Sequence, residues 1–209
     1  KLSNFTLKDV DKDKLYNFLR DMEFNRLLSQ VRSKYGELLK KNSAPNLKNE
    51  IINTKKYKTI KKLEDLDNWI KLAEEYGEVV IDTETDSLNP HKALLVGISL
   101  SIKSGEACYI PLENNEEKTL DKQKVLKKLK ILFEDSSVKK IGQNIKYDFI
   151  VLFQNGIILN PMEDTMLMSY TLDAGNHRHN MDNLSDIHLG HKTISYKDVV
   201  GTGKNQITF

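Results

Sequence analysis

A chain of 209 residues with 39% hydrophobic and 30% charged residues is long enough to bury a full core and too apolar to be disordered. Its formal net charge is only +2, and one cysteine, Cys108, excludes an intrachain disulfide framework and fits a reducing compartment. No apolar run reaches the length of a membrane span and no signal peptide is visible, so no membrane partner is expected.

The near-neutral total hides a split. Lys1 to Lys62 hold 16 basic and 7 acidic residues, whereas residues 63 to 209 hold 16 basic and 23 acidic. A basic front suits a polyanion or a solvated linker, and an acidic back suits a site for cations. The first residue is Lys1 rather than methionine, and the chain reads as cut from something longer.

Over residues 13–33, Leu15, Phe18, Leu19, Met22 and Leu27 recur at helical spacing, with a break near Glu23. So short a helical piece cannot bury its own apolar face and should pack on a partner. Residues 36–58, with Gly36, Asn42, Ser43, Pro45 and many lysines, read as a linker. "LEDLDNWIKLAEEYG" (63–77) is an amphipathic helix stopped at Gly77. "EVVIDTE" (78–84), "ALLVGISLSI" (93–102) and "EACYIPL" (106–112) are strands, with Gly105 turning the last two. "DKQKVLKKLKILFED" (121–135) is a helix with a lysine-rich wet face. "VKKIGQN" (138–144) is a short strand, and "IKYDFIVLFQNG" (145–156) a helix stopped by Gly156. Helices follow over 163–173, opened by Asp164 as N-cap, and over 181–190. Three strands joined by short turns should be antiparallel, and a fourth reached through a helix should run parallel to the first. The fold class is α/β, a mixed sheet with flanking helices behind a helical segment and linker.

The chemistry starts in "VVIDTETDSL" (79–88). Side chains alternate along a strand, so Asp82 and Glu84 point the same way at its C-terminal end, where open α/β sheets hold ligands. Two carboxylates so close repel, and burying them costs several kcal/mol per ion unless a cation compensates. A hard divalent ion does so through carboxylate oxygens. The bland alternative is a polar strand end facing water. In "IGQNIKYDFIVLF", Asn144 and Asp148 are four apart and would share a helix face, with Asp148 set among Ile145, Phe149, Ile150 and Leu152. The bland alternative there is a surface aspartate with Asn144 as N-cap.

"IDTETDSL", "IGQNIKYD", "DTMLMSYTLD", "HNMDNL", "HKTISY" and "GTGKNQITF", in this order over about residues 60–209, resemble the 3′–5′ exonuclease (proofreading) domain of bacterial DNA polymerase I. That domain belongs to the DEDD exonucleases and has an RNase H-like fold. "DKLYNFLRDMEFNRLLSQV" resembles the C-terminal end of the 5′-nuclease domain that precedes it. The resemblance implies three parts: 1–35 as the helical end of a 5′-nuclease domain, 36–58 as linker, and 59–209 as exonuclease domain.

It also implies roles. Asp82, Glu84 and Asp148 would be catalytic and would ligate two divalent ions, Mg²⁺ or Mn²⁺. Leu88 and Tyr196 would pack on the terminal bases of a single-stranded DNA 3′ end, by contacts that do not depend on base identity. Gln143, Asn144, Lys146 and Tyr147 would line the strand beside Asp148. Arg178 would contact a phosphate and Met181 a base. The family carries phenylalanine where this chain has Tyr196. For Leu88 and Met181 taken alone, core packing is the simpler explanation. Polymerase and 5′-nuclease domains of the same parent chain would be partners, in a monomeric, cytoplasmic, nucleoid-associated bacterial protein.

The family's third motif, a tyrosine followed four residues later by an aspartate, should come shortly after "GKNQITF", where this sequence ends at Phe209. That pair orients the attacking water and completes one metal site, so these 209 residues alone should show little or no hydrolysis. The sheet should also lack a covering helix, leaving apolar surface open. Asp164 does not substitute, because it reads as an N-cap. Other readings are a catalytically silent domain that binds single-stranded DNA or spaces its neighbours, and a free-standing RNA exonuclease. His177, His179, His188 and His191 raise a zinc module without a CxxC partner, and "GTGK" is an incomplete phosphate loop.

Overall fold

Strand β2 (Glu78–Thr85) sorts its residues by face. Val79, Ile81 and Thr83 are buried, whereas Glu78, Val80 and Asp82 are exposed. In this computed structural model, which describes residues 9–36, 57–112, 120–194 and 196–201, β2 is the centre of a six-stranded sheet. The strand order is β1 (Lys58–Thr59), β4 (Glu106–Pro111), β3 (Leu95–Lys103), β2, β5 (Lys139–Gly142) and β6 (Met162–Asp164). The antiparallel neighbour β3 (Leu95–Lys103) sets Asp82 opposite Ser99 and Glu84 opposite Gly97. β4 (Glu106–Pro111) continues the meander. β5 (Lys139–Gly142) runs parallel to β2, as the crossover through a helix requires. The sheet is therefore mixed, as expected from the element pattern.

Two edge strands are additions to the sequence reading. β1 (Lys58–Thr59) pairs parallel with β4, at the end of what reads as linker. β6 (Met162–Asp164) pairs parallel with β5, where a helix was expected to begin. Both are too short to carry a period-2 pattern, so only their partners reveal them. The rest of the 36–58 linker, apart from Gly36 and Tyr57, lies outside the described residues.

Helix α3 (Leu63–Tyr76) ends at Gly77 in the left-handed region, φ 74°, which a residue without Cβ adopts freely. Its Leu66, Trp69 and Ala73 are buried with Val125, Leu129, Leu132 and Phe133 of α4 (Lys122–Glu134). The same core takes Ile81, Ile98, Leu100 and Ile110 from the sheet, and Val151 and Leu152 from α5 (Lys146–Gln154). Lys140 of β5 is fully buried. Its ammonium donates to the carbonyls of Asp135 (2.7 Å), Val138 (2.6 Å) and Asn160 (2.6 Å), which uses all three of its protons.

The expected helix over 163–173 is α6 (Thr165–Leu172), and that over 181–190 is α7 (Met181–Leu189). Neither buries a residue, and Leu167, Tyr170, Leu172 and Leu189 are exposed. Together with Val80 of the sheet, they leave apolar side chains open among the described residues. A short α8 (Tyr196–Val200), not anticipated, follows.

The chain divides into two compact units, Lys1–Asn46 and Leu47–Phe209. In the first, α1 (Lys12–Asp21) and α2 (Asn25–Tyr35) are separated at Glu23, φ 56°, where the sequence places the break. Asp11 caps α1 by accepting from Lys14 N. Tyr16, Leu19 and Leu28 form its small core, while Phe18, Met22, Phe24 and Leu27 stay exposed. Among the described residues no helix is long and apolar enough to cross a membrane.

Candidate active site

The pairing of β2 with β5 ends at Val80 and Ile141. Beyond that point the N–H of Thr83 is taken by a side chain instead. Asp148 Oδ1 accepts from Thr83 N at 2.8 Å and from Thr83 Oγ1 at 2.6 Å. Thr83 is buried because it shares the core face of β2, and a buried polar side chain needs a partner. Asp148 is buried too, on the first turn of α5. This contact places the α5 carboxylate beside the two on β2.

The result is a cleft of about 420 Å³ lined by Asp82, Glu84, Leu88, Gln143, Asn144, Tyr147 and Asp148, among others. These are seven of the eleven residues singled out from the sequence. Burial, then the charges of Asp148 and Glu84, pushes Asp82 up to about 7. Burial and the Asp148 charge raise Glu84. Burial raises Asp148 as well, against the pull of its two Thr83 hydrogen bonds. Asp82 nevertheless remains open to the cleft, so water screens part of this repulsion. The donor set is all oxygen and anionic, which suits a hard divalent cation. Among the described residues, no three His, Cys, Asp or Glu side chains form a preformed cation cage. Asp148 Oδ1 is engaged by Thr83.

Leu88 is 97% exposed at the lip of the cleft, which removes core packing as its explanation. The Tyr147 hydroxyl fixes this lip, bonding Ser87 O and the Thr85 hydroxyl. Asn144 departs from expectation. It precedes the helix, in the left-handed region at φ 57°, and so does not share a helix face with Asp148. Ile145 is the N-cap instead. The reason is Asp164, which accepts from Asn144 N (3.0 Å) and Ile145 N (3.1 Å) and also caps α6 through Met166 N (2.9 Å). One buried carboxylate thus satisfies donors at two helix starts, which confirms Asp164 as a cap.

The remaining residues lie elsewhere. Lys146 is exposed and does not line the cleft. Arg178 borders a second depression of about 390 Å³ with Asp182, Asp186 and Lys192. Met181 opens α7 and is 58% exposed, so it too is not a core residue. The Tyr196 side chain and residues 202–209 are outside the described residues. Three histidines do approach, with ring centroids 4.8 Å apart for His177 and His179 and 6.3 Å for His177 and His188. His177 Nε2 meets Asp173 and His179 Nδ1 meets Ser169, and His179 Nε2 is buried without a partner among the described residues. Sequence reasoning missed Thr83 and Asp164 as builders of the site. The strand alternation holds the signal for Thr83, a polar residue on the inward face.

The fold is that of the RNase H-like exonucleases. It is similar to RNase D of Escherichia coli, an exoribonuclease involved in structured RNA processing, with a TM-score of 0.54 and 17% identity over 68% of this chain and 35% of that one. It is also similar to NrnC of Brucella melitensis with bound Mg²⁺, with a TM-score of 0.51 and 25% identity over 66% and 63%. A family model described as 3′–5′ exonuclease matches residues 57–209, and the chain belongs to this family, in the branch carried by DNA polymerase I. It is 42% identical over 173 residues to DNA polymerase I of Rhizobium leguminosarum, covering 73% of this chain. It is 36% identical over 218 residues to that of Pseudomonas aeruginosa, covering 96%. The chain spans only 17% and 23% of the length of those two polymerases.

Proposed function

We propose that this chain is the proofreading part of a bacterial DNA polymerase I, removing 3′-terminal nucleotides from single-stranded DNA. The observation that carries the reading is the convergence of Asp82, Glu84 and Asp148, from two elements, in one cleft with an exposed leucine at its lip. Asp82, Glu84 and Asp148 would hold two Mg²⁺ or Mn²⁺ ions, Asp148 through the oxygen that Thr83 leaves free. Such ions, when bound, activate a water and stabilise the leaving oxygen of a phosphodiester. Leu88 meets the last base by apolar contact, which tolerates any base, and Tyr147 keeps that leucine in place. Tyr196 would pack on the terminal bases with Leu88, Lys146 would line the strand beside Asp148, Arg178 would contact a phosphate and Met181 a base.

No tyrosine of this sequence has an aspartate four residues on. The 209 residues alone therefore hydrolyse DNA poorly, and they work with the polymerase and 5′-nuclease domains of one cytoplasmic, nucleoid-associated monomer. The test is digestion of a 3′-labelled single-stranded oligonucleotide with Mg²⁺ or Mn²⁺. It compares this chain, a chain extended through a tyrosine–aspartate motif, and the extended chain with Asp82→Ala. Hydrolysis is expected in the extended form and reduced on the order of a hundredfold or more by Asp82→Ala. DNA binding without hydrolysis in every form would replace this reading with a silent DNA-binding or spacer domain.

A further inference from the structure

Gln143 lines the cleft, yet both ends of its side chain are already engaged. The His179 carbonyl, an acceptor only, lies 2.7 Å from one end of the Gln143 amide, so that end is the NH₂ group. The other end is then the carbonyl oxygen, and it accepts from the Thr165 hydroxyl. Thr165 Oγ1 also lies 3.1 Å from Gly142 O, so its single proton is shared between two acceptors where β5 ends. On the far side, the His179 ring is held by Ser169 Oγ at 2.8 Å and lies 4.6 Å from the Tyr170 ring. The Arg178 carbonyl accepts from Asn183 Nδ2 at 2.7 Å. A continuous set of hydrogen bonds thus runs from the β5 end, which leads into Asp148, to the segment that carries Arg178.

We propose that Gln143 is a positioning residue. It braces the segment His177–Asn180 against the cleft, with Thr165 completing the brace, and so sets the distance between Arg178 and the carboxylates. The brace rests on the reading of Arg178 as a phosphate contact. It assigns Gln143 a different task from touching the substrate, and it gives Thr165, which does not line the cleft, a share in the same task.

Hydrogen exchange on the full 209-residue chain without DNA tests the brace directly. Gln143→Ala and Thr165→Val should each speed exchange of the amides of residues 177–180, with the amides of β2 unchanged. Binding of a single-stranded oligothymidine in EDTA gives the second readout. Each variant should weaken binding about three- to tenfold, as expected for loss of one or two partly exposed hydrogen bonds. Arg178→Ala placed in either background should then add little to that loss. Unchanged exchange at 177–180, or losses from Gln143→Ala and Arg178→Ala that multiply in full, would overturn the brace and make Gln143 a direct contact. If Arg178→Ala alone leaves binding intact, the phosphate reading of Arg178 fails, while the exchange result still decides the brace.

Discussion

At the scale of single residues, three carboxylates are held closer than their charges favour. Asp82 is raised from 3.8 to about 7, first by burial and then by Asp148 and Glu84. A raised carboxylate keeps its proton in the folded state where the unfolded chain has lost it. The folded state then binds more protons over that interval, and stability falls as pH rises from about 4 through about 7. Glu84 and Asp148 are raised as well, with the same sign. In EDTA, the urea midpoint should therefore drop between about pH 5 and about pH 8, and Asp82→Asn should flatten the drop. A midpoint that rises over this interval in both forms would contradict the crowding. Asp148 is fixed by Thr83, so the cluster cannot relax by moving that carboxylate into solvent.

At the scale of elements, β5 is short, yet it connects the core to the cleft. Lys140 anchors it by donating to carbonyls of the turn that follows α4 and of the segment that precedes β6. Burial lowers the Lys140 pKa, and full satisfaction of its three protons is what keeps a buried ammonium tolerable. Lys140→Met keeps the volume and removes the ammonium that the carbonyls of Asp135, Val138 and Asn160 accept from, the Val138 bond being the buried one. It should lower unfolding free energy by roughly 3 kcal/mol, read from denaturant titration. A change within about 0.5 kcal/mol, the usual range for surface positions, would show that water replaces the ammonium. Asp164 does comparable work with the opposite charge, joining the start of α5 to the start of α6. Lys140 thus holds the start of β5, while Asp164 holds Asn144 and Ile145 just past its end.

At the scale of the whole molecule, all of the cleft residues belong to the unit Leu47–Phe209. Its core contains all the buried apolar residues of α3, α4 and α5 and those of β2, β3 and β4, whereas the first unit has a core of three buried residues. A chain beginning at Leu47 should therefore fold and keep the cation response of the full chain. Saturating Mg²⁺ at pH 8 should raise the melting temperature of both forms equally, by a stabilisation on the order of 1–3 kcal/mol. A shorter chain that fails to melt cooperatively, or that loses the Mg²⁺ response, would show that residues 1–46 are needed for the site.

The sequence by itself determined the α/β class, the meander and its parallel fourth strand, the break at Glu23 and the stop at Gly77. Each of these is written in local periodicity or in one residue's backbone preference, so neighbours in the chain suffice to read it. It also determined that Asp82 and Glu84 share a face, because strand alternation does not depend on what surrounds the strand. Only the tertiary structure decided which residues build the cleft around them. Thr83 matters because pairing with β5 stops short of it, and Asn144 leaves the helix because Asp164, twenty positions away, takes its N–H. Strands β1 and β6 exist only through partners distant in sequence. Gln143 reads as one more lining residue until His179 and Thr165 are seen at its two ends. Hydrogen bonds between distant segments leave no periodic trace in a sequence. The carboxylates of the site could therefore be found from the chain, while the groups that hold them in place could not.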